Sequence, residues 1–227
     1  MTGVLGRLSV FEEFIKQREE FFDNVLKKEG LKTYFINANL ATLVFSVIYG
    51  VTMGVYPGGW QILYTAVKIP LLLLLSVYIT APSFYVLTAL LGGECSFSQL
   101  LVLFLSSLTI MSTVLLALFP VNLFFILTTA NTSFITYAFI VLLNVAIFGL
   151  AGLFALSYLS RGYTKLYTGI DYVPAFLIQS IIFILVGTQL SWVLRPYFHY
   201  YPGFIRPIED NFYIAVLRLI YRLLMPA

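Results

Sequence analysis

The sequence predicts an all-α polytopic membrane protein with about five transmembrane helices and an amphipathic helix at each end. Three observations carry that reading. Of the 227 residues, 60% are hydrophobic and only 10% are charged, with a mean hydropathy of +0.95; a soluble domain carries about 25% charged residues. The apolar residues run on for roughly the 20 positions that one crossing of a bilayer needs. The charges lie between and beyond these runs, almost never inside them. In water such a chain would expose large apolar patches, so its solvent is lipid.

Residues 9–28 read as one amphipathic helix. Ser9 and Glu12 have the S-x-x-E spacing of a capping box. Phe11, Phe14, Ile15, Phe21, Phe22, Val25 and Leu26 recur at helical spacing, with Glu12, Glu13, Lys16, Glu19, Glu20, Asp23 and Lys27 on the other side. This aromatic stripe suits the membrane interface or the underside of the bundle. Residues 1–7 lead into this charged helix, so no removable signal peptide is expected.

The first span covers 34–55, and Tyr56-Pro57-Gly58-Gly59 turns the chain. Residues 60–91 are too long for one crossing and contain Lys68, Pro70 and Pro82. The prolines suggest an interfacial helix over 60–69 followed by a second span over 70–91. The third span, 97–119, closes at Pro120. Residues 121–133 then form an uncharged polar loop or a re-entrant piece. The fourth span is 134–159, a hydrophilic loop follows over 161–172, and the fifth span is 173–194, stopped by Arg195-Pro196. The tail 196–227 begins with aromatics and prolines and ends in a second amphipathic helix, 211–224, where Arg218 and Arg222 share a face. The layout is one membrane domain, 34–195, flanked by 1–33 and 196–227.

Five crossings put the ends on opposite sides. Arg7, Lys16, Arg18, Lys27, Lys28, Lys32, Arg161 and Lys165 fall on the N-terminal side; Lys68, Arg195, Arg206, Arg218 and Arg222 fall on the other. The positive-inside rule therefore expects a cytoplasmic N-terminus and an outer C-terminus.

Chemistry is thinly represented. One cysteine, Cys95, and one histidine, His199, stand far apart and imply neither a disulfide nor a metal site, and no cofactor is expected. A net charge of +3 gives no reason to expect nucleic acid. His199 reads as an interfacial side chain without a catalytic partner, and Glu94 and Asp171 read as solvated loop carboxylates. G-x-S-x-G, H-E-x-x-H and P-loop patterns are missing.

Candidate residues are therefore polar groups near or in the spans. Lys68 is either a cation facing a cavity or anionic headgroup, or a lysine snorkelling from an interfacial helix beside Trp60 and Tyr64; the second reading is preferred. Lys68, Arg195, Arg218 and Arg222 are candidate lipid or anion contacts. Lys68 and Arg195 are expected on the same membrane face. Asn144, Gln189, Ser112 and Asn122 are candidate interhelical contacts or parts of a polar path, and amides in spans more often hold helices together. Asn37 and Asn39 belong with them at the start of the first span. Span-three hydroxyls can bond their own backbone one turn back. Ala146, Gly149, Gly152 and Ala155 give the fourth span a small-residue face suited to close helix packing.

Gln189-Leu190-Ser191-Trp192-Val193-Leu194-Arg195-Pro196-Tyr197, followed by Asn211-Phe212-Tyr213, resembles a group of mostly uncharacterised bacterial five-span proteins with a Q-L-x-W-x-L-R-P-[FY] stretch and a later N-F-Y. Ala66-Val67-Lys68-Ile69-Pro70 is also similar to that group, and the likeness runs from about residue 40. The layout also resembles Yip1-domain membrane proteins, although Leu166-Tyr167-Thr168-Gly169 stands where their eukaryotic members carry a D-L-Y-G-P type motif. The resemblance implies a bacterial inner-membrane location and brings no catalytic residues.

The leading functional expectation is a non-enzymatic integral membrane protein that packs with other subunits or with copies of itself, or that interacts with lipid. A channel or transporter is the second reading, with Ser106 to Thr113, Asn122, Asn131, Asn144 and Gln189 along its path. A lipid-modifying enzyme using Lys68, His199 or Arg195 is the third. Membrane lipids are expected partners in each.

Overall fold

The computed structural model describes residues 14–129, 134–167, 171–195, 204 and 211–224. These residues form seven helices and no strand: α1 (Arg18–Leu26), α2 (Leu31–Val55), α3 (Gln61–Leu90), α4 (Phe97–Thr128), α5 (Phe134–Leu166), α6 (Val173–Leu194) and α7 (Phe212–Leu224). Helices α2 to α6 are each long and apolar enough to cross a membrane. Helix is the form such runs must take in lipid, because it satisfies every backbone group within its own segment. The chain is an all-α, multi-pass membrane protein.

The five spans alternate in direction. The near face holds α1 and the loop 91–96; the far face holds the turn 56–60, the end of α6 and the start of α7. Helix α4 is the most buried span and α6 the least. Helices α2, α3 and α5 pack around α4, whereas α6 leans chiefly on α3 and barely meets α5.

Small side chains recur every fourth position along α2, and Ala38, Thr42, Ser46, Gly50 and Gly54 are all buried; Ala38 and Thr42 meet Thr109 of α4, whereas Gly50 and Gly54 meet α3 at Thr65 and Gln61. That spacing keeps them on one face. A Cβ on Gly50 would sit 2.5 Å from the Thr65 carbonyl oxygen, so only glycine permits this approach. Gly58 and Gly59, with φ of 72° and 59°, make the tight turn that returns α3 against α2.

Several boundaries differ from those expected, and two of the differences share one reason. Helix α3 runs unbroken through Pro70 and Pro82, so no separate interfacial helix covers 60–69. Helix α4 continues through Pro120 to Thr128, so 121–128 is helix rather than loop or re-entrant piece. Helix α5 extends to Leu166, into the stretch expected to be a loop from 161. In water a proline commonly ends a helix, because solvent can satisfy the freed carbonyls. In lipid, breaking the helix would strand several backbone groups, whereas continuing forfeits one bond.

The N-terminal region is not one continuous helix in its described part. Phe14 and Ile15 are helical, the chain turns at Lys16 and Gln17, and α1 follows. The Ser9–Glu12 capping box lies outside the described residues. Of the two places open to the aromatic stripe, Phe14, Phe21, Phe22 and Val25 occupy the underside of the bundle, each at most 2% exposed. Phe21 and Tyr34 meet edge-to-face at 5.0 Å, and Phe22 packs on Tyr158 at 5.1 Å. Gln99 secures α1 by donating to the carbonyls of Val25 and Leu26 at 2.9 and 3.1 Å. Gln99 also completes a capping box with Ser96 that starts α4. Lys165 adds ion pairs to Glu19 and Asp23 at 3.1 and 3.2 Å; these are exposed and contribute little.

Gly50→Leu should therefore destabilise the protein by about 2 kcal/mol or more, by forcing α2 and α3 apart. A Cβ on Gly149 meets nothing within 4 Å, so Gly149→Ala should be neutral or slightly stabilising. Thermal unfolding in a mild detergent separates the two.

Candidate functional site

The polar residues of the spans form short interhelical ties. Tyr49 Oη donates to Asn144 Oδ1 at 2.8 Å, and Asn144 Nδ2 donates to Asn122 Oδ1 at 3.0 Å and to the Ile140 carbonyl at 2.9 Å. All three side chains are fully buried, and the chain of bonds joins α2, α5 and α4. Deeper in the bundle, the hydroxyls of Thr42 and Thr109 lie 3.2 Å apart across α2 and α4. Ser106, Ser107 and Ser112 each bond a carbonyl of their own helix three residues back. Asn39 accepts from Tyr78 Oη at 2.6 Å, tying the start of α2 to α3.

Gln179 ties α6 to α3, donating to the Phe84 carbonyl and to Thr88 Oγ1, both at 3.0 Å. Eight residues further along α6, a Cβ on Gly187 would lie 3.6 Å from Ser76 Oγ, eight residues back along α3. The antiparallel register is thus constant. One more step of eight, about 12 Å, brings Arg195 level with Lys68 at the far face.

Between α5 and α6 the bundle is open. A partly open cavity of about 350 Å³ lies there, floored by α3 and α4 and reached by Phe212 of α7. Its walls are apolar apart from scattered hydroxyls and Asn144. Gly149 and Gly152 line it without touching any other side chain that a Cβ would meet. Leu153 and Ile184 line it too and are 65% and 45% exposed, so the mouth opens on the lipid side between the two helices. The glycine face of α5 thus borders a crevice instead of packing closely within the chain. Along α6 the crevice extends from Ser180 to Ser191, about 16 Å.

At the far end of the crevice, Arg195 caps α6. It is half-buried, stacks 4.2 Å from the Trp192 ring centroid, and has a left-handed backbone with φ 39°. Arg195 Nε and Nη2 and Trp192 Nε1 are buried and have no hydrogen-bond partner among the described residues. Lys68 departs from the interfacial expectation. It is 1% exposed inside α3, and its ammonium lies 5.2 Å from the Phe204 ring centroid. The unbroken α3 accounts for this, since it carries Lys68 into the bundle instead of along the surface.

Gln189 is exposed on α6 and joins none of the interhelical ties described above. The buried amides that do bind helices at the near face are Gln99 and Gln179, which the sequence reading missed. Gln99 was legible as the last residue of the S-x-x-Q at 96–99; Gln179 gave no local signal. Arg218 and Arg222 are exposed on α7, whose N-terminus is capped by Asn211 accepting from the Ile214 amide at 3.0 Å. Tyr213 holds α7 to α6 through the Thr188 hydroxyl at 2.9 Å. His199 and Asn131 lie outside the described residues. Cys95 is half-buried in the near-face loop, where burial raises its thiol pKa.

Fold and site together define a multi-pass membrane protein with a lipid-facing crevice. No protein-family model, curated protein or solved structure matches the chain.

Asn144→Leu should cost about 1–2 kcal/mol, because it strands Tyr49 and Asn122 in a medium without other partners. Gln189→Leu should leave stability unchanged. Urea or SDS titration of the purified protein followed by circular dichroism reads both.

Proposed function

We propose that this is a non-enzymatic integral membrane protein that holds a lipid acyl chain in the α5–α6 crevice and serves as an accessory or membrane-organising component. The observation that carries this is the crevice itself: apolar walls, a mouth bordered by exposed Leu153 and Ile184, and a position within the membrane spans. The solvent at that mouth is hydrocarbon. A volume of about 350 Å³ lies at the lower end of the range for small-molecule sites, which are about 300–1,000 Å³.

The arrangement of polar groups favours this over a conduction path. Asn144, Asn122 and the hydroxyls of α4 are used in bonds between or within helices, and they lie among buried apolar side chains. The exposed apolar face of α7, including Leu217, Tyr221 and Leu224, supports attachment at the membrane interface. The distribution of Lys and Arg supports a cytoplasmic near face and an outer far face, and the resemblance carried by the Q-L-x-W-x-L-R-P-Y stretch supports a bacterial inner membrane as its location.

Native mass spectrometry of protein extracted in a mild detergent tests the reading. Wild type should retain lipid, and Gly149→Leu combined with Gly152→Leu should release it while unfolding at an unchanged temperature. Equal lipid retention by the filled variant, or a second copy of the chain bound in place of lipid, would overturn it.

A further inference from the structure

The far end of the crevice carries an unusual set of groups. Arg195 Nε and Nη2 form one edge of the guanidinium fork, the edge that binds a planar or tetrahedral oxyanion through two parallel bonds. Both are buried and unpartnered among the described residues, and so is Trp192 Nε1 beside them. A buried donor without an acceptor is costly, more so when it is charged. All three orphan atoms are donors, so what is missing is an acceptor-rich, negatively charged group.

Position narrows the choice. Thr188, Ser191 and Arg195 follow one another along one face of α6, and the first two line the crevice. Arg195 therefore stands about one turn beyond the crevice end. Lys68, level with it on α3, lies one turn beyond Leu72, another lining residue. From Ser180 to Ser191 the crevice measures about 16 Å, half the roughly 30 Å of bilayer hydrocarbon. An acyl chain of one leaflet lying in it would bring its headgroup to the height of Arg195. The left-handed backbone of Arg195 points the same way: a non-glycine residue there is strained, and glycine at the same helix end would relieve that strain. Such strain collects at binding sites.

We propose that the crevice binds a phosphate-bearing lipid of the far leaflet, with its phosphoester oxygens on the Arg195 fork and Trp192 Nε1. This rests on the acyl-chain reading of the crevice and adds the headgroup chemistry and the leaflet.

The test compares two lipids with identical chains, a phosphatidylglycerol and a diacylglycerol, in competition for the purified protein by native mass spectrometry. Wild type should prefer the phospholipid by about tenfold, as expected for charge-assisted hydrogen bonds. Arg195→Gln and Arg195→Gly should both reduce the preference to near one. The glycine variant keeps the helix end free of strain, so its loss of preference cannot be ascribed to misfolding. Arg195→Lys, a point charge without a fork, should fall between. Preference unchanged in the Gln and Gly variants would overturn the headgroup assignment while leaving the crevice reading intact. Loss of both lipids from Gly149→Leu/Gly152→Leu alone supports the crevice, and no retention of either lipid by wild type would overturn both. Millimolar inorganic phosphate should not displace the phospholipid; displacement would overturn a lipid headgroup in favour of a free anion.

Discussion

Lipid offers no hydrogen bonds, and most of the structure follows from that single constraint. Tyr49, Asn144 and Asn122 stitch α2, α5 and α4 because no water can take their place. Each such bond contributes modestly, on average about 0.6 kcal/mol in a membrane, but leaving its members unpaired costs more. The same constraint carries α3 through Pro70 and Pro82 and α4 through Pro120. It also explains why the hydroxyls of α4 fold back on their own carbonyls. Where hydrogen bonding cannot distinguish one packing from another, shape does, and Gly50 and Gly54 let α3 settle against α2.

Seen this way, the open α5–α6 seam is the exception. Elsewhere small residues bring helices together; Gly149 and Gly152 face open space. Helix α6 is held by Gln179 at one end and by the Tyr213–Thr188 contact near the other, and among the described residues its extensive support comes from α3. A span attached to one neighbour leaves a lateral gap that lipid fills. At the top of that gap the orphan donors of Arg195 and Trp192 repeat the polar argument in reverse. Other buried donors without a partner, such as Tyr163 Oη and Ser180 Oγ, are single neutral groups, whereas Arg195 and Trp192 gather three such donors, two of them on a cation, and the acceptor has to come from outside the described residues.

Much of the fold was legible in the sequence. Composition and run length alone mark the spans, and the C-terminal amphipathic helix falls where its periodicity placed it. The boundaries at Pro70 and Pro120 differ because rules for proline in water do not hold in lipid; that of α5 differs because the polar stretch 161–166 continues the helix beyond the span. The site was less legible. Arg195 and Asn144 stand out as polar groups at the end or middle of an apolar run, whereas Gln189 stands out equally and is exposed. One sequence cannot tell which face of α6 meets α3, because the helix is apolar all round. The cavity is a property of how α6 docks, and docking depends on Gln179, Gly187 and the register they share with α3.

The central claim is that hydrocarbon enters between α5 and α6. Replacing Trp60 and Trp192 by phenylalanine and placing a single tryptophan at Phe183, a half-buried crevice residue, allows quenching by chain-brominated lipid to be measured in reconstituted vesicles. Quenching close to that of a tryptophan at exposed Leu185 is expected; protection equal to that of a tryptophan at fully buried Leu105 would contradict an open crevice.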